Sequence, residues 1–501
     1  MEGEGYGSFS KWRQRLWPIH SFELKKIVPL LLLKFLISLN YSILLCLKDT
    51  VVVTAQGSGA EVIPVIKGWI VLPVAFLGAV IYSKLSNLLK PTTLFYSFLG
   101  FLLFVYAIYG FVLYPNIDFF SPHASADALS HFLGGKYSHW VAIYRNWIHT
   151  LFFVSAELWS TIVIFLLFWG FANQITRVGE AKRTYTLFIA AGDIGALLTG
   201  PIFYYFTKKF ALYHYSVTLA ALTSLILFVG MLTLGIYWWV NRFVLTDERF
   251  YDGTKAKQAL TQKTKLSLVA SVKYILKSKY LLSIAMLVIG CGLTINIVEV
   301  TWKGYLKLQY PNPMDMQAFL SQNISCVGGF ALITVLLFGG SSLRYFGWHF
   351  SAQVTPAVIG VTGLLFFFLC LGKEHIGPLT GLIGLSPLMF IVLFGAFQVV
   401  ISKVVKYSFF DPTKEMVFIP LDQESKTKGK AAIDVVGSRL GKSGSSWIQI
   451  ALIDLLGTGS VLSITPFLLP IIAVAIVLWM MSVRYLNKEF TAQDRSLSLS
   501  S

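Results

Sequence analysis

Twelve apolar runs divide this chain, each about as long as the roughly 20 residues a helix needs to cross a hydrocarbon core. They cover about 26–47, 62–83, 93–114, 148–171, 184–206, 217–241, 279–299, 317–339, 349–371, 381–402, 431–456 and 462–486. The chain is 55% hydrophobic and only 13% charged, with a mean hydropathy of +0.68, whereas soluble domains are about a quarter charged. The expected fold is therefore an all-α polytopic membrane protein with about twelve transmembrane helices. The runs at 317–339 and 431–456 carry many small and polar residues, as helices do when they line a cavity instead of facing lipid.

The net charge is +17. Lys and Arg collect in the N-terminal 1–25 segment, in the even-numbered loops, in the stretch 242–278 and at Arg484 and Lys488 ahead of the tail 489–501, and the opposite loops are poorer in them. By the positive-inside rule both termini are cytoplasmic. No extended basic domain lies outside the apolar runs, which argues against nucleic acid as a partner. The basic linker 242–278 separates six runs at 26–241 from six at 279–488. This 6+6 layout is major-facilitator-like and would place a substrate near the bilayer midplane between the halves; it rests on helix count, since no repeat joins the halves.

Cys46, Cys291, Cys326 and Cys370 sit in or beside apolar runs without paired spacing, and read as small core residues. The start has neither a signal-peptide layout nor a transit-peptide composition, which favours a bacterial inner membrane. The loop 115–146 suggests a surface cap or short helices, with His123, His131 and His139 read as solvated.

The stretch "VVGSRLGKSGSS" at 435–446 superficially resembles an ATPase phosphate loop. Such a loop has four residues between its glycines and joins a strand to a helix; Gly437 and Gly441 are separated by three and lie in an apolar run. Arg439 and Lys442 are nevertheless cations inside a span, where charge is costly and faces a partner or a watery cavity. The glycines and serines leave room for a bulky ligand, or else form a helix-packing face whose cations pair with Asp434 or Glu157.

Further charges lie along the runs. Lys48 and Asp49 follow the first directly, where a lysine could simply snorkel. Glu157 lies well inside the fourth, Asp193 lies among small residues in the fifth, and Glu299 closes the seventh, followed by Lys303. Together they point to a water-filled polar path, and Lys and Arg are what polyphosphate recognition uses.

At these residues the sequence resembles the nucleotide transporter family, the ATP/ADP translocases of obligate intracellular bacteria and plastids. The resemblance runs from "LWPI" at 16–19 to "LNKEF" at 486–490 and is carried by "LKDTVVVTAQGSGAEVIP", "AELW", "FWGFANQITRVGEAKR", "VLTDERFYD", "VEVTWKGYLK", "VKYSFFDPTKEMVFIPLD" and "KGKAAIDVVGSRLGKSG". It implies exchange of nucleotides across a twelve-helix protein, with Lys48, Glu157, Glu299 and Lys442 at the positions critical for transport. The chain departs from the family at two places: Leu45 stands where an arginine is usual, and Asp193 where asparagine is. Each change removes about one positive charge.

The reading is a nucleotide antiporter for ATP and ADP working by alternating access in the lipid bilayer. Lys48 and Lys442 bind phosphates, Arg439 assists, and Glu157 and Glu299 orient the cations or form gate pairs. Asp193, Asp49 and Leu45 bear on coupling or selectivity. The alternatives are proton symport with Asp193 titrating, a non-adenine nucleotide or NAD as substrate, and a proton-driven organic-anion transporter of the same architecture. No cofactor, metal cage or enzymatic machinery is indicated, and a monomer is the default.

Overall fold

The structure, a computed structural model, describes residues 17, 19–176, 178–246, 276, 278–338, 342–418, 421, 433 and 438–500. Most of the 242–278 linker, Asp434 and the Arg439 side chain lie outside the described residues.

Twelve long helices follow the apolar runs: α1 Leu24–Val53, α2 Val62–Leu88, α3 Pro91–Leu113, α4 Trp147–Ile175, α5 Val178–Lys209, α6 Tyr215–Val244, α7 Lys279–Gln309, α8 Pro313–Phe338, α9 Ser342–Leu371, α10 Pro387–Met416, α11 Ser438–Leu456 and α12 Thr465–Ser500. Eleven of them are long and apolar enough to cross a membrane. The exception is α11, whose 19 residues open with "SRLGKSGSS". No strand occurs among the described residues.

Local sequence sets the helix ends. Pro91 and Pro387 stand in the first turns of α3 and α10, where the missing N–H loses no helical bond. The Ser278 and Ser386 side chains accept from the backbone N–H groups of Leu281 and Met389, capping α7 and α10. In α9, Gly347 takes φ +74° and breaks the helix, a conformation that suits glycine alone. The run expected at 279–299 continues to Gln309, so Glu299 lies inside α7 and does not close it. Likewise Lys48 and Asp49 lie within α1, not beyond it.

Burial follows position in the bundle. The windows of α1 and α7 are 72% and 61% buried, those of α2 and α12 only 22% and 28%. The first helix of each half is thus enclosed, while α2 and α12 turn apolar side chains such as Phe76, Leu77 and Val474 outward, as lipid-facing surfaces do. Where α5 meets its neighbours, glycine allows backbone to approach backbone. A Cβ on Gly195 would lie 2.9 Å from Leu39 N, and one on Gly328 of α8 would lie 2.6 Å from Leu197 N. Small residues at helix interfaces provide such close packing in membranes.

The 115–146 loop forms short helices, Ile117–Phe120, His123–Leu133 and Ser138–Arg145. His139 departs from expectation: it is fully buried, with Nε2 3.1 Å from Asp454 Oδ1 at the end of α11. Close by, the Ser138 hydroxyl donates to the Gly459 carbonyl at 3.4 Å. The loop therefore docks one half onto the other. Burial holds the His139 pKa below its ordinary range, against the opposing pull of Asp454.

Candidate functional site

A continuous run of six alternating charges crosses the centre of the protein. Lys48 Nζ on α1 lies 3.0 Å from Glu157 Oε1 on α4 and 2.9 Å from Asp49 Oδ1. The other Asp49 oxygen lies 2.8 Å from Lys303 Nζ on α7, which is also 2.9 Å from Glu299 Oε1. Glu299 Oε2 in turn lies 3.8 Å from Lys403 Nζ on α10. The order Glu157–Lys48–Asp49–Lys303–Glu299–Lys403 thus runs from the first six helices into the last six.

Such a chain answers a physical problem. Taking one charge out of water costs several kcal/mol even after relaxation, and only well-placed opposite charges offset it. Lys48, Asp49 and Lys303 are buried, and each touches two opposite charges. The outer members are wetter: the side chains of Glu157, Glu299 and Lys403 are 20%, 16% and 19% exposed. They are the groups that solvent or a ligand reaches first.

Helix geometry presents them. Lys48 and Lys303 stand equally far along the first helix of their half, counting from residue 24 to 48 and from 279 to 303. Two of these helices, α4 and α10, and the neighbouring α2 widen into π-helical turns. These are Ile66–Val71, Trp159–Phe168 just after Glu157, and Lys406–Phe410 just after Lys403. Such turns leave backbone groups less regularly paired and cluster at functional sites.

Lys442 is exposed on α11 and within electrostatic reach of Glu157. Glu157 forms its ion pair with Lys48 instead. The glycine-rich stretch around Lys442 has two jobs. Gly441 packs against Gly292 of α7, where an added Cβ would lie 3.2 Å from the facing Cα, whereas Gly444 faces open space. Arg439 lies on α11. Leu45, one turn before Lys48, is half-buried. Asp193 stands apart from the six-charge chain, with Lys34 of α1 as the opposing charge that acts on it. Lys34 donates to the Ser38 hydroxyl at 2.9 Å, and Asp193 Oδ2 is buried with no hydrogen-bond partner among the described residues.

Sequence reasoning passed over three cations. Lys403 falls just past the expected end of the tenth run, Lys303 was noted only as a neighbour of Glu299, and Lys67 sits near the start of the second run. Lys67 Nζ donates to Asn296 Oδ1 at 2.9 Å. A charged residue inside an apolar run was the available signal for Lys67, as it had been for Glu157.

Contacts that join the halves include Asp49–Lys303, Lys67–Asn296, His139–Asp454, Gly200 against Ser325, Gly328 against Leu197, and Ser138 with Gly459. They lie between the middle of the helices and the side opposite the termini. The halves are closed together there.

The model for the TLC ATP/ADP transporter family matches residues 4–490. The chain belongs to that family. Among relatives of this TLC transporter, the ADP,ATP carrier protein 1 of Chlamydia trachomatis is 44% identical over 97% of this chain and 92% of that protein. The ADP,ATP carrier protein 1 of Rickettsia prowazekii is 38% identical over 96% of each chain. The chloroplastic ADP,ATP carrier protein 1 of Arabidopsis thaliana is 40% identical over 98% of this chain and 78% of its own length. The fold has solved counterparts. A bacterial homologue of the iron transporter ferroportin in an inward-facing state gives a TM-score of 0.56, at 14% identity over 93% of this chain and 100% of that one. The inward-open xylose transporter XylE of E. coli gives 0.52, at 13% identity over 92% and 96%. The TLC transporter is thus a multi-pass membrane protein that shares the fold of these solved transporters.

Proposed function

We propose that this protein exchanges ATP and ADP across the inner membrane of an intracellular bacterium, by alternating access, without chemistry on the phosphates. The observation that carries the reading is the six-charge chain through Asp49 and Lys303. A polyphosphate is an anion able to replace Asp49, Glu157 and Glu299 as partner of the lysines. A ligand moves a two-state equilibrium only by binding one state better than the other. Replacing a carboxylate that bridges the halves with a phosphate that arrives from one side supplies that difference.

In this account Lys48 and Lys442 hold phosphate groups and Arg439 assists. Glu157 and Glu299 orient the cations in the empty protein and let them go when nucleotide binds. The carrier names of the Chlamydia, Rickettsia and Arabidopsis relatives support ATP and ADP as the pair exchanged. The membrane-embedded units are the halves 26–241 and 279–488, joined by the basic 242–278 linker. The linker, the 1–25 segment and the 489–501 tail face the cytoplasm, and one chain suffices for transport.

Competition tests the substrate class. Unlabelled ATP and ADP should suppress uptake of labelled ATP into preloaded proteoliposomes, while NAD, non-adenine nucleotides and small organic anions should not. Suppression by an organic anion but not by ADP would refute the reading, as would steady phosphate release from ATP by the purified protein.

A further inference from the structure

The charges around the site do not balance. Glu157, Asp49 and Glu299 are taken up by Lys48, Lys303 and Lys403. Two lysines are left over. Neither Lys67 nor Lys442 has an ion-pair partner among the described residues, yet both act electrostatically on the same carboxylate, Glu157. They share one neighbourhood, with Lys67 contributed by the first half and Lys442 by the second.

What holds Lys67 is a relay of neutral groups. Its ammonium donates to Asn296 Oδ1 at 2.9 Å, the Asn296 amide nitrogen donates to the Ser445 hydroxyl at 2.7 Å, and that hydroxyl donates to the Lys442 carbonyl at 2.6 Å. The relay starts on α2, crosses α7 and ends on α11 at the second unpaired lysine. Asn296 and Ser445 are buried, while Lys67 is half-buried, on a π-helical turn. An amide oxygen fixes the position of the ammonium without neutralising it. A phosphate oxygen adds an ionised acceptor and the charge attraction that a neutral amide lacks, so it displaces the amide more readily than it displaces a carboxylate.

We propose that Lys67 is a phosphate-binding residue of the transport site, presented by Asn296 and Ser445, and that with Lys442 it takes the phosphate end of the nucleotide. The inference rests on the proposed function and adds a residue and a consequence to it. Because the Lys67–Asn296 bond joins the two halves, phosphate binding at Lys67 breaks a contact between them. Substrate thereby unlocks the closed side.

Calorimetric titration of ATP and ADP into the purified full-length protein, with its melting temperature recorded, tests this. Lys67→Met should weaken both nucleotides by about 10- to 100-fold, the range expected for one bond to a charged group, and Lys67→Arg should recover most of the loss. Asn296→Asp should weaken them comparably without lowering the melting temperature, because a carboxylate at that place competes with phosphate for Lys67. A purely structural Lys67 would not respond to Asn296→Asp in this way. Wild-type affinity in Lys67→Met, with affinity lost in Lys442→Met, overturns the assignment of Lys67 and leaves the proposed function standing. Wild-type affinity in both variants overturns both. If Lys67→Met does not fold, Asn296→Asp decides: unchanged affinity there overturns the proposal.

Discussion

Asp49 of α1 and Lys303 of α7 form a 2.8 Å ion pair between the two halves of the protein. Each also keeps a second partner inside its own half, Lys48 for Asp49 and Glu299 for Lys303. The pair can therefore open without stranding either charge. A buried charge left with no partner costs about 3–5 kcal/mol, and a bridge carrying that cost would be a poor moving part.

Asp49→Asn should consequently release the closed side more than it unfolds the protein. Lys48 still has Glu157, and Lys303 still has Glu299. We expect a loss of about 1–3 kcal/mol in stability, the scale of a hydrogen bond to a charged group. Single cysteines on the side opposite the termini should label faster in the absence of nucleotide. Lys303→Met removes the shared partner of two carboxylates, leaving Asp49 with Lys48 alone and Glu299 with only the 3.8 Å contact to Lys403, and should cost more. Thermal melting of the two variants in detergent checks the order.

The α5–α8 contact yields a packing prediction. A Cβ at Gly328 would meet Leu197 N at 2.6 Å and Asp193 O at 2.7 Å, both backbone atoms that cannot swing aside. Gly328→Leu should cost about 1–3 kcal/mol, as overpacking typically does, or force α5 and α8 apart. Gly444→Ala, with open space around it, should leave the melting temperature unchanged.

How far the sequence revealed this arrangement depended on what each residue's signal required. Glu157 was legible because a carboxylate amid "FFVSAELWSTIVIF" has no water to explain it. Lys48 and Asp49 were ambiguous because the end of α1 could not be placed to within a turn, and one turn separates a snorkelling lysine from a buried one. The partner of Glu157 was not legible at all: Lys48 on α1 and Lys442 on α11 were equally available in one dimension. His139 was misjudged because loop histidines are usually wet, and its burial depends on docking against Asp454 in the other half.

His139 carries a pH prediction. Its pKa is lowered in the folded protein, first by burial, with Asp454 pulling the other way. The unfolded chain, with an ordinary value of about 6.5, therefore takes up the proton first as pH falls. This residue's contribution is fully present above about pH 6.5 and is lost as pH drops toward the folded value. Melting temperatures from pH 7.5 to 5.5 should fall more steeply for the wild type than for His139→Gln. Parallel curves would show that the histidine is not the responsible group.

Under the proposed exchange, nucleotide opens the charge chain and the chain re-forms without it, so that transport requires a nucleotide on each side. Uptake of labelled ATP should be measured in proteoliposomes that are empty or preloaded with ADP, with and without an imposed proton gradient, for the wild type and Asp193→Asn. Obligatory exchange gives uptake only into preloaded vesicles, with no response to the gradient and no change in the Asp193→Asn variant. Gradient-driven uptake into empty vesicles, lost in Asp193→Asn, would contradict it and make Asp193 the coupling residue of a symporter.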